Sequence, residues 1–81
     1  MNLVELTETL IKAIVKDPDS VSVKQFETED DSIQIEVLVD SESIGAVIGK
    51  NGKIAKAIRT IVRASSYLDQ NKKVTINIDS I

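Results

Sequence analysis

Two glycines separated by two polar residues, Gly49-Lys50-Asn51-Gly52, stand between the apolar run Ile44-Gly45-Ala46-Val47-Ile48 and a basic run that starts at Lys53. A residue without a Cβ lets another backbone come close. A helix that begins just after such a turn presents unpaired N–H groups and a partial positive charge, an arrangement that attracts anions. Lys50 and Lys53 place ammonium groups beside the same opening. The chemistry suited to these residue types is non-covalent. A sugar-phosphate strand clamped against the turn would leave its bases facing Ile44, Val47 and Ile48.

Taken singly, each of these features has a plainer reading. An Asn-Gly pair is most often an ordinary turn, and the basic arc of Lys53, Lys56, Arg59 and Arg63 is by default a solvated helix face. A Walker loop is excluded, because Asn51 stands where Ser or Thr is required, and no G-x-G begins a dinucleotide fingerprint. The chain has no cysteine and no histidine, which removes disulfides, Cys or His metal sites and Cys or His nucleophiles. The acid pairs Asp17/Asp19 and Asp30/Asp31 lie in polar turns, where solvated carboxylates are the usual case. No catalytic residue, metal site or cofactor is expected.

Charge concentrates where the turn is. Residues 1–49 carry three lysines against eleven acids, while residues 50–73 carry seven basic groups against Asp69 alone; the net charge is −3. The acidic total disfavours a non-specific coat on nucleic acid, and the basic segment inside it is compatible with a local phosphate site.

The elements that must position this segment can be read from periodicity. Residues 2–16 have helical spacing, with Asn2 as cap and Glu5 in capping-box position. Leu3, Leu6, Leu10 and Ile14 fall on one line, and Val4, Ile11 and Val15 widen the apolar arc enough to suggest a second subunit. Asp17-Pro18 stops that helix. A strand is expected over 21–26, where Gln25-Phe26 shifts the phase as a bulge or an early strand end would, with Phe26 in the core. The acidic turn 27–32 leads to the clean alternation of Ile33, Ile35, Val37 and Val39. After the short apolar segment 44–48 and the glycine turn, a helix runs from 53 to about 68, with Tyr67 as a packing residue at its end. A last strand alternates Val74, Ile76 and Ile78. The order is α-β-β-α-α-β in a single α+β domain over residues 1–81, with a three-stranded mixed sheet and helices packed on one face. At 81 residues there is no room for a second core.

G-x-x-G between two helices in that order resembles a type II KH domain. The stretch Val47-Ile48-Gly49-Lys50-Asn51-Gly52-Lys53-Ile54-Ala55-Lys56-Ala57-Ile58-Arg59 is similar to its central motif, and the resemblance covers essentially residues 1–80. At this length the chain resembles the free-standing KH proteins of the bacterial KhpA (YlqC-like) family. The resemblance implies binding of about four unpaired nucleotides of single-stranded RNA, with Gly49, Lys50, Asn51 and Gly52 as backbone clamp. Ile44, Val47, Ile48 and Ile54 would floor the groove, Lys53 and Lys56 would flank it, and the strand edge at 21–26 would form the opposite wall. It further implies an RNA chaperone that acts as a homodimer or with a larger KH-containing partner, KhpB (Jag-like), linked to post-transcriptional regulation, cell length and peptidoglycan homeostasis. Ser43 and Ala46 stand where relatives often carry an acid and a base; with the carboxylates of 27–31, this predicts weakened phosphate binding. A protein–protein adaptor with a vestigial groove is the competing expectation. The lack of cysteine, of a signal-like start and of a long apolar run points to the cytoplasm, away from any membrane.

Overall fold

The computed structural model describes residues 2–81. Asn2 caps helix α1 (Leu3–Lys12): its Oδ1 accepts the Glu5 N–H at 2.8 Å, and its side-chain amide donates to Glu5 Oε1 at 3.0 Å. The helix ends at Lys12, short of the expected residue 16. The chain tightens there, with the Ile14 N–H reaching only as far back as Ile11 O, and this turn swings Val15 into the core. The buried line on α1 is Leu3, Thr7 and Ile11 rather than Leu3, Leu6, Leu10 and Ile14; Leu6, Leu10 and Ile14 pack against the core half-exposed. Thr7 is tolerated inside because its hydroxyl donates to Leu3 O at 2.7 Å.

Strands β1 (Ser22–Glu27) and β2 (Ile33–Val39) form an antiparallel hairpin, and β3 (Val74–Ser80) lies parallel to β2 on its other side. The sheet order is β1-β2-β3. Central β2 supplies Ile33, Ile35, Val37 and Val39, each at most 1% exposed, which accounts for its clean alternation. Burying each such side chain contributes roughly 1.5–3 kcal/mol.

Neither the bulge nor the early strand end expected at Gln25-Phe26 is present, since the register runs without a break from Ser22↔Leu38 to Glu27↔Ile33. Strict alternation therefore puts Phe26 on the face shared with Ser22 and Lys24, which no helix covers, and it is 50% exposed rather than core.

Helices α2 (Ile44–Ile48) and α3 (Lys53–Asp69) form the crossover from β2 to β3. Val47, Ile58 and Val62 point from them into the core with Val74 and Ile76. At its far end α3 closes on itself. Asn71 adopts φ 54°, its N–H and that of Gln70 both donate to Ser66 O at 2.8 Å, and the buried Ser66 hydroxyl donates to Lys72 O at 2.8 Å.

Candidate nucleic-acid interface

The glycine turn joins α2 to α3 through a single tight bend. Gly49 closes α2 by donating its N–H to Gly45 O at 2.9 Å. It then takes φ 76°, ψ 174°, a region essentially confined to glycine. An added Cβ would also lie 2.8 Å from Ile54 Cβ and 3.0 Å from Ile54 N, so the position excludes a side chain on two grounds. Asn51 (φ 57°) and Gly52 (φ 74°) follow in the left-handed region, where a Cβ at Gly52 would meet nothing within 4 Å. One glycine is demanded by packing and conformation, the other by conformation alone.

Gly52 is the cap residue of α3, and among the described residues no side chain bonds to the helix's first-turn amides. The preceding turn takes up the Lys53 N–H, which donates to Lys50 O, and the amides that follow at the start of this 17-residue helix are left to a polar ligand. Lys50 and Asn51 are exposed on the bend, and Lys53 and Lys56 are exposed on the first turn, with no ion pair to any of these lysines among the described residues. Ile48 and Ile54, 41% and 40% exposed, present apolar surface beside the turn. Ile44 is half-buried against the core. Val47 is completely buried, so it supports that surface from beneath and presents none of its own.

Two members of the basic arc are not merely solvated. Arg59 Nε donates to Ile76 O at 3.3 Å and Arg63 Nε to Val74 O at 3.4 Å, which covers the outer edge of β3. These pairs also fix the direction of α3, which runs antiparallel to β3 with the glycine turn at the C-terminal end of that strand. The wall facing the basic helix is therefore β3. The expected wall at 21–26 is on the far edge of the sheet, where β1 packs beneath α1, because the crossover lays α3 over the strand it leads into.

The acidic turn is displaced as well. It joins β1 to the start of β2, where Ile33 pairs with Val74, so it neighbours the C-terminal end of α3. Lys72 binds it there, at 3.2 Å to Asp31 and 3.9 Å to Glu27. A helix of 17 residues is about 25 Å long, beyond a Debye length of about 8 Å, so these carboxylates do not oppose a phosphate at the glycine turn.

Ser43, read from sequence with Ser41-Glu42 as a helix entrance, is the cap residue of α2, but its hydrogen bonds were missed. Its buried hydroxyl donates to Asp40 Oδ2 at 2.9 Å and accepts the Lys16 N–H at 3.0 Å, which ties the entrance of α2 to the end of the α1 segment. The i, i+3 spacing of Asp40 and Ser43 was the available signal.

A helix–glycine turn–helix crossover between the parallel strands of an α-β-β-α-α-β sheet defines a type II KH domain. The family described as "KhpA/KhpB, KH domain" matches residues 4–78. The chain is 45% identical over 74 residues to the RNA-binding protein KhpA of Clostridium acetobutylicum, covering 91% of this chain and 96% of that protein. It is 46% identical to the protein of the same name from Clostridium perfringens over the same shares of both chains. The Thermotoga maritima protein of that name is 34% identical, with 91% and 95% covered. The chain belongs to the KhpA/KhpB KH family. Among solved structures, it is similar in fold to Era in complex with MgGDPNP and nucleotides 1506–1542 of 16S ribosomal RNA (TM-score 0.67, 22% identity). That match covers 96% of this chain but only 29% of the Era chain.

Proposed function

We propose that the chain binds single-stranded RNA through the turn Gly49–Gly52, with Lys50, Lys53 and Lys56 drawing in phosphate and Ile44, Ile48 and Ile54 flooring the groove above Val47. The observation that carries this reading is the exposed, side-chain-poor bend opening onto the uncapped first turn of α3. The names of the relatives, RNA-binding proteins, support the same class of ligand. Within it, the finer role is that of an RNA chaperone in the cytoplasm, linked to post-transcriptional regulation, cell length and peptidoglycan homeostasis. It has no catalytic step.

One domain offers few contacts, so affinity is low and salt-sensitive, and pairing raises it through effective concentration. A surface suited to pairing is the shallow apolar trough between α1 and α3 formed by Leu6, Ile61, Ala64 and Leu68, the last 89% exposed. Asp69 at its rim is the only charged residue lining it among the described residues, so two copies that meet there bring together apolar surface with a single carboxylate from each at the edge. The occupant is a second KH domain, in the simplest case a second copy of this chain and otherwise that of a larger KhpB (Jag-like) protein.

The decisive variant is Lys50→Asp with Asn51→Asp. Both residues are exposed, and aspartate tolerates the left-handed backbone at Asn51, so the fold persists. RNA retardation at low salt should disappear, and unchanged affinity would remove the clamp. Light scattering beside the gel shift separates the adaptor reading, which requires a stable dimer and no RNA retardation at any salt concentration.

A further inference from the structure

The basic stripe does not end at the glycine turn. Lys53, Lys56, Arg59, Arg63 and Tyr67 follow one another at spacings of three and four along the β3 side of α3. At the far end of that seam, Arg63, Tyr67, Lys73, Val74 and Thr75 enclose a cavity of about 230 Å³. This is below the roughly 300–1,000 Å³ of a drug-sized site and suits a single planar group.

Each wall has a defined state. Tyr67 is 57% exposed, an aromatic ring that the core does not use. The Nε bond from Arg63 to Val74 O pins the guanidinium to the strand edge. Among the described residues, neither Arg63 nor Lys73 forms an ion pair. The neighbouring acids, Glu27 and Asp31, are taken up by Lys72. Asp69 lines the trough on the opposite side of α3 and does not face this cavity.

We infer that this cavity is a second nucleotide subsite on the same single strand, where one base stacks on Tyr67 while Arg63 and Lys73 hold an adjoining phosphate. The inference rests on the RNA reading of the glycine turn and extends it. From Gly52 to Tyr67 is about 22 Å along the helix, so the subsite is reached only by a strand several nucleotides long. Stacking on an aromatic ring tolerates any base, which makes this a length-sensing contact and not a sequence-reading one.

The chain contains one tyrosine and no tryptophan, so its intrinsic fluorescence reports on Tyr67 alone. The test titrates wild type, Tyr67→Ala and Tyr67→Phe with oligouridylates of about four and about eight nucleotides. For wild type the longer strand should bind more tightly and quench the tyrosine, and the shorter strand should leave the fluorescence unchanged. Tyr67→Ala should lose the length-dependent gain, about five- to tenfold, while binding the short strand as before; Tyr67→Phe should keep the gain. Lys73→Gln should flatten the salt dependence for the long strand only. Equal affinity for both lengths in wild type, or a gain that survives in Tyr67→Ala, overturns the subsite and leaves the glycine turn standing. Failure of wild type to bind either strand overturns both. A Tyr67→Ala variant altered in self-association but not in length dependence assigns the ring to a protein contact and overturns the proposal.

Discussion

The two ends of α3 are built on opposite plans. Its N-terminal end is left open: two glycines with positive φ, no capping side chain, and lysines without carboxylate partners. Its C-terminal end is closed by Ser66, which accepts two backbone N–H groups and donates to a third residue, and by Lys72, which takes up the neighbouring acids. The dipole favours anions at the open end and disfavours them at the closed one. A phosphate at the first can be met by main chain, whereas one at the second must be held by side chains, which is where Arg63 and Lys73 stand without an ion-pair partner among the described residues. A side-chain-poor bend before a helix start without a side-chain cap marks the first as a candidate site, and surplus side-chain charge marks the second.

If this contrast is right, a methyl group added at the open end should be far more damaging at one glycine than at the other. Gly49→Ala combines a backbone region closed to alanine with a clash against Ile54, and should destabilise by about 3 kcal/mol. Gly52→Ala meets open space and should cost only about 1 kcal/mol. Urea denaturation of the two variants measures both. Equal costs would mean that Ile54 moves aside freely and that the turn is less rigid than its packing implies.

Substitution at the closed end should separate stability from binding. Ser66→Ala leaves Lys72 O without its hydroxyl donor and should cost about 1–2 kcal/mol, read from the denaturation midpoint. Its affinity for a short RNA should match that of wild type. A variant that loses RNA binding while retaining stability would show that the latch positions the groove, and the division between the two ends would fail.

The same contrast explains which parts of the structure were legible in sequence. The alternation of β2 and the helical spacing of α3 are long, regular patterns enforced by burial, and both elements formed where they were read. The glycine turn was legible because its types are demanded locally. Which strand faces it was not, because the order β1-β2-β3 and the lie of α3 over β3 are properties of the assembled sheet. Phe26 misled because its hydrophobicity suggested core, while the pleat assigned it to the uncovered face. The burial of Thr7, Ser43 and Ser66 went unread for a related reason: each is a small polar residue made compatible with burial by a hydrogen bond that no periodicity records.

The smallest effect belongs to the acidic turn beside the closed end. Thr28 and then Ser32 donate hydroxyl hydrogen bonds to Asp30, and the Ser32 N–H adds a third; together they hold its carboxyl below the ordinary value of 3.8. A carboxyl that ionises more readily in the folded chain stabilises the fold above the unfolded-state value, and the benefit is lost as pH falls through the folded-state value. Asp30→Asn should therefore melt slightly below wild type at about pH 7, with the gap closing as the pH drops below about 4. The carboxylate is fully exposed, so solvent keeps the gap small. Thermal melts of both proteins at about pH 7 and about pH 2.5 test this directly, and a gap that persists unchanged in acid would mean that hydroxyl bonds to a charged Asp30 do not order the turn.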